Sequence, residues 1–186
     1  MERINKKARH ELLKDKINKY LFMTDKDLAS HLNVSVQTVR LDRFELKIPE
    51  VRQRIKNLAE EAEFKIKSIS NDDIVGELID IKLGQSGISM MAITDEMVFE
   101  KNKIAKGYFI YSQANSLAIA IIDTKIAITG VAKIKHMISV KKGEKLVAKA
   151  EVTKVRGNKF FITVRTTSNE TTVFIAKFII VSLSDQ

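Results

Sequence analysis

The chain of 186 residues is 45% hydrophobic, carries a net charge of +9 and contains no cysteine. It can bury a core, but disulfides, thiolate metal sites and a cysteine nucleophile are excluded. His10, His31 and His136 lie far apart without zinc-binding spacing, the apolar runs are too short to span a bilayer, and MERINKKARHELLKDK lacks the apolar stretch of a secretory signal; a cytoplasmic protein with no metal and no membrane partner is expected.

The first 47 residues read as a compact helical unit. ARHELLKDKINKY places Leu12, Leu13, Ile17 and Tyr20 near one helical face. In MTDKDLASHL, Thr24 is the expected N-cap, Asp25 and Asp27 suit the positive end of the helix dipole, and Leu28, Ala29 and Leu32 form the inner face. Asn33-Val34 makes a short turn, and Ser35 caps a second helix, VQTVRLDRFEL, with Gln37, Thr38, Arg40 and Arg43 expected outward. Helix, tight turn and capped helix form a helix-turn-helix signature. Arginine can read guanine edges, glutamine adenine, and serine and threonine can hold phosphates, so Ser35, Gln37, Thr38, Arg40 and Arg43 are the candidate DNA-binding residues. Residues 1–56 hold 14 Lys and Arg against 8 Asp and Glu, a charge of +6, whereas residues 57–186 hold 18 against 15, a charge of +3. A basic N-terminal unit fits a polyanion partner. Leu41, Phe44 and Ile48 form a second apolar stripe, expected to pack on the following linker or on a partner subunit.

Residues 48–71 read as an amphipathic linker helix. Pro49 stands at its start, where a missing N–H is harmless. Val51, Ile55, Leu58, Ala62, Ile66 and Ile69 recur at spacings of three and four, with charged residues on much of the other face. Such a stripe must dock, either statically or differently in two states.

Residues 72–186 mix strands with one helix. VGELIDIKL alternates, and a turn from Gly84 to Gly87 leads into ISMMAIT. GYFIYSQANSLAIAIID, residues 107–123, is a helix fit to be buried, yet it carries the amide of Asn115. An unpartnered buried amide costs roughly 1–3 kcal/mol, so the fold or a ligand must satisfy it. About four antiparallel strands follow, with Gly157-Asn158 as a hairpin turn. The overall expectation is an α+β chain: helix-turn-helix unit, linker, and a hotdog domain in which a curved antiparallel sheet wraps one long helix. Hotdog domains usually dimerise and hold acyl thioesters near the helix N-terminus.

NVSVQTVRLDR, IPEVRQRIK and KGYFIYSQANSLAIAIID, taken together, resemble the fatty-acid and phospholipid biosynthesis transcription regulator of Gram-positive bacteria, over essentially the whole chain. The resemblance implies a homodimeric repressor of lipid-synthesis genes that binds operator DNA and is released by malonyl-CoA, or by malonyl-acyl carrier protein. It implies effector-binding roles for Asn115, which matches a residue that hydrogen-bonds the malonyl group, for Gly107, against whose backbone the ligand lies, and for Phe99, an apolar wall. Each also has a structural reading: a core amide, a helix-entry turn and core packing. The family usually has Arg before that glycine; here it is Lys106, a point charge in place of a planar fork.

Two rival functions follow from the same residues. A hotdog thioesterase needs a carboxylate near the thioester, but Glu100 is the only acid in residues 99–122, so no catalytic residue is expected. A regulator sensing another acyl-CoA fits Lys106. Lys133, Lys135, Lys141 and Lys142 could meet CoA phosphates, though a solvated basic edge accounts for them equally.

Overall fold

A computed structural model describes residues 5–20, 22–63 and 65–183. The chain divides between Leu58 and Ala59 into two compact units, and its fold is α+β. None of the described helices is long and apolar enough to cross a membrane.

The N-terminal unit contains α1 (Lys6–Lys19), α2 (Asp25–Leu32), α3 (Val36–Glu45) and the first part of α4 (Val51–Glu63). Leu13, Ile17, Leu28, Ala29, Leu32 and Val39 form its core, with Met23, Val34, Val36, Leu46 and Ile48 packed around them. Leu12 and Tyr20 stay exposed, so the inner stripe of α1 is narrower than expected. Thr24 and Asp27 close a reciprocal capping box on α2, and the Thr24 hydrogen bonds hold the Asp27 carboxyl below its ordinary pKa. Asn33 ends α2 in the left-handed conformation, and Ser35 Oγ accepts from Thr38 N to start α3. These caps fix a tight turn of three residues between two short helices.

The linker helix is shorter than its sequence pattern suggests. It begins at Val51, after Pro49, and ends at Glu63. Ile66 and Ile69 leave the helical stripe and pack on the C-terminal core. Ala62 falls outside the described side chains.

The C-terminal unit is one antiparallel sheet around α5 (Gly107–Ala120). Its strands are β1 (Glu77–Lys82), β2 (Ser86–Ala92), β3 (Ile126–His136), β4 (Lys145–Arg156), β5 (Lys159–Ser168) and β6 (Thr171–Leu183), in the order β1-β2-β4-β5-β6-β3. This is the expected hotdog arrangement. Ile110, Ala114, Leu117 and Ala118 of α5 pack with Ile121 and Ile122 against Ala148, Val164, Phe174 and Phe178 of the sheet. The β1–β2 turn uses Gly84, at φ +71°, whereas Gly87 lies buried inside β2. A Cβ at Gly87 would sit 2.7 Å from Ile121 Cγ2 and 3.1 Å from Leu117 Cδ1, so this glycine is a point of close approach between strand and helix rather than part of the turn.

Candidate functional site

The two candidate sites lie in different units. In the first, α3 turns Val39, Asp42 and Arg43 inward and leaves Gln37 and Arg40 exposed. Ser35 Oγ and Thr38 Oγ1 lie 2.9 Å apart, so the hydroxyls of the cap are already engaged with each other, and Thr38 is half-buried rather than outward.

Arg43 corrects the sequence reading. It is only 5% exposed. Its Nε and Nη2 donate to the two carboxylate oxygens of Asp25 at 2.6 and 2.7 Å, and its Nη1 donates to the Ile48 carbonyl at 3.0 Å. A bidentate fork committed in this way joins α2, α3 and the chain after α3; it is not free to read DNA. Arg43 stands four residues after the buried Val39, so it shares the inner face of α3.

A second fork locks the other flank. Arg9 donates to Asp42 through Nε at 2.6 Å and Nη2 at 2.9 Å, and His10 Nε2 lies 2.9 Å from the same carboxylate. The Arg9 hydrogen bonds hold the Asp42 carboxyl below the usual aspartate range, despite its burial. Asp25, Asp27 and Asp42, three of the eight acids in residues 1–56, are thus bound internally. Arg40 stays largely exposed, its Nε 3.6 Å from Asp25.

The second site is the entry to α5. Lys106 is the N-cap, and its side chain does not cap the helix; Nζ donates instead to the Glu96 carbonyl at 2.8 Å. Phe99 is exposed, so it is not core packing. Phe99 and Lys106 line one shallow surface pocket with Val98, Glu100, Lys101 and Asn102. Gly107 follows as the first helical residue. A Cβ there would stand 3.0–3.1 Å from the ring of His136, so any other residue would require that ring to shift by a few tenths of an ångström.

Asn115 is not part of this cluster. It lies eight residues beyond Gly107, a rise of about 12 Å along the helix. It is half-buried, and its Oδ1 accepts from Thr129 Oγ1 of β3 at 2.6 Å; Nδ2 has no partner among the described residues. The structure therefore brings Phe99, Lys106 and Gly107 together and sets Asn115 two turns away, on the same half-open side of α5 as Tyr111 and Ser112.

The fully buried amide of this helix is Gln113, which the sequence reading passed over. Its Nε2 lies 3.4 Å from the Ser89 carbonyl and 3.3 Å from Ser89 Oγ, while Oε1 is buried without a partner, as is Thr166 Oγ1. Its spacing from Ile110 and Leu117 was the available signal, since three- and four-residue steps put all of them on one face. Ser89, Ala148, Thr166, Phe174 and His136 stand in one cross-strand row, which connects the Gln113 side of the sheet to the Gly107 side. Among the described residues, no group of three or more His, Asp or Glu is placed to hold a metal ion.

No protein-family model matches the chain. The transcription factor FapR of Caldanaerobacter subterraneus subsp. tengcongensis is 54% identical over 183 residues, covering 98% of this chain and 92% of the relative. The transcription factor FapR of Bacillus subtilis is 47% identical over 179 residues, covering 95% of each chain. A solved structure of a sigma28-regulated virulence protein from Campylobacter jejuni aligns with a TM-score of 0.64 at 20% identity, covering 70% of this chain and 93% of that one. At that identity the likeness is one of fold alone.

Proposed function

The chain belongs to the FapR family of transcription factors, and from that premise we propose that it is a repressor of fatty-acid and phospholipid synthesis genes, bound to operator DNA as a homodimer and released by malonyl-CoA or malonyl-acyl carrier protein. It is a regulator and not an enzyme. Residues 1–47 act as the DNA reader, 48–71 as the connecting segment and 72–186 as the effector-binding and dimerising domain.

The observation that carries this reading is the outward face of α3. A capped helix on a unit of charge +6 presents Gln37 and Arg40, two side chains able to read base edges. Homodimerisation is supported by β3, which ends the sheet order and exposes Ile126, Ile128 and Ile134. A long edge strand with exposed apolar side chains is a ready template for a second copy.

The effector reading rests on the α5 entry. Lys106 brings a cation, the first turn of α5 is a helix N-terminus with no side-chain cap, and Gly107 allows close approach. Beside its bond to the Glu96 carbonyl, Lys106 Nζ keeps two further N–H donors with which to grip a malonyl carboxylate. The Asn115 Nδ2, still free to donate, serves a ligand that extends along α5 or arrives from a partner subunit. Lys106 also favours a second reading, a regulator tuned to a different acyl-CoA, because a flexible point charge selects a carboxylate less strictly than the planar fork of Arg.

One titration tests the proposal. Operator duplex is bound to the full chain at several salt concentrations, then challenged with malonyl-CoA, acetyl-CoA and CoA. Affinity falls steeply with salt, and malonyl-CoA releases the duplex at the lowest concentration. Salt-independent binding sinks the DNA reading; equal release by all three compounds sinks the malonyl reading.

A further inference from the structure

The exposed side of α3 carries more than Gln37 and Arg40. At about 100° per residue, Gln37, Arg40, Leu41 and Phe44 fall within one arc of roughly 100°. Leu41 is 64% and Phe44 83% exposed. The stripe read in the sequence as packing on the linker or a partner is divided: Ile48 joins the N-terminal core, and the other two remain uncovered among the described residues. They cannot roll inward, because the opposite side of α3 is held by the Arg43–Asp25 and Arg9–Asp42 forks.

We infer that Leu41 and Phe44 are specificity-determining residues of the DNA-reading face, and that they take thymine methyl groups in the major groove. The inference rests on the DNA reading proposed above. The thymine methyl is the apolar feature of the major-groove edge, and it is met by apolar side chains. A second copy of the chain fits this patch less well. Two side chains interrupted by Gln37 and Arg40 fall far short of the roughly 800 Å² per partner that a stable interface buries. A self-contact here would also press two units of charge +6 together, whereas duplex DNA carries the opposite charge.

The test uses the full chain and a duplex selected by it from a random-sequence library, compared with the same duplex carrying deoxyuridine in place of each thymidine. The wild type binds the deoxyuridine duplex about four-fold more weakly for each methyl group it desolvates, the ratio that follows from about 0.8 kcal/mol per buried methylene. Leu41→Ala and Phe44→Ala bind the thymidine duplex more weakly and lose that ratio. Arg40→Ala loses affinity but keeps it, which separates methyl contact from charge. Because both apolar residues are exposed, the variants fold, and Leu41→Met restores part of the ratio. Wild-type indifference to the methyl groups, with binding intact, overturns the inference alone, as does an unchanged ratio in both alanine variants. Dissociation of the dimer by those variants at an unchanged ratio overturns it in favour of a second copy. Absence of any duplex binding overturns the DNA reading with it.

Discussion

The two units of this chain solve the same problem with different materials. Among the described residues, the N-terminal unit has six buried apolar side chains in its core, and the C-terminal unit has twenty-four. Small domains bury proportionally less surface and need other restraints. The N-terminal unit uses charge: Asp25 and Asp42 each receive a two-pronged arginine, and the pair fix the rotation of α3 from both flanks. The C-terminal unit uses apolar mass and a continuous six-stranded antiparallel sheet. It tolerates a half-satisfied Gln113 at its centre. Ionic forks set direction, which suits a surface that must present particular side chains, while a large core supplies rigidity for a sheet and its helix.

The sharpest way to break this contrast is Arg43→Ala. It leaves the part-buried Asp25 carboxylate with Arg40, 3.6 Å away, as its remaining cation, and should cost the N-terminal unit about 3 kcal/mol. Heat or urea should then unfold the helical signals well before the sheet, as followed by residue-resolved NMR; a concerted loss of both would show that the units are not separable. Next in size is Gly87→Ala, the mirror experiment in the other unit. Its Cβ would meet Ile121 and Leu117, so overpacking of about 1–3 kcal/mol is expected, confined to the sheet and α5. Acid offers a third, smaller contrast. Asp42 and Asp27 both titrate below the ordinary aspartate range in the folded chain, held there mainly by Arg9 and Thr24. Their contribution is therefore complete above the unfolded aspartate pKa and is lost as pH falls through the lower folded value. Stability of the N-terminal unit should drop in that window while the C-terminal core keeps its near-ultraviolet and NMR signatures. The smallest effect is expected from Gln113→Leu. Removing a buried amide whose Oε1 is unpartnered should be nearly neutral, or stabilising by up to about 1 kcal/mol, in contrast to the loss expected at Arg43. A clear destabilisation of the sheet in thermal melts would mean that the Ser89 contact outweighs the orphaned oxygen.

Much of this architecture was legible in the sequence because local chemistry specifies it. Thr24, Asp27 and Ser35 announced helix starts by their cap chemistry, and Gly157-Asn158 marked the β4–β5 hairpin. What depended on distant partners was not legible. Arg43 looked like an outward base reader until Asp25, eighteen residues earlier, was found in its fork. The sequence points to Asn115 as the buried amide of α5, whereas the buried one is Gln113; the difference lies in which side of the helix the sheet covers. The α4 stripe kept its period through Ile69 although the helix ends at Glu63, because Ile66 and Ile69 serve a different core without needing helical phase. The effector-binding roles proposed for Phe99, Lys106, Gly107 and Asn115 rest on resemblance, and the fold places only the first three close together.

Arg54, in the part of α4 that belongs to the N-terminal unit, has a consequence for hydrogen exchange. Its guanidinium is partly buried with one hydrogen bond, Nη2 to the Met23 carbonyl at 2.9 Å, while Nε and Nη1 are buried without partners. Burial pushes its pKa below the ordinary arginine value, and Arg43 nearby adds to the same effect. A cation so poorly satisfied gains hydration when its segment lifts away, so the seat of this helix is held by a narrow margin. The amides of Val51–Leu58 should accordingly open to solvent in a local fluctuation of their own, at lower free energy than those of α1, α2 and α3, and the start of α4 can come loose while those three helices stay folded.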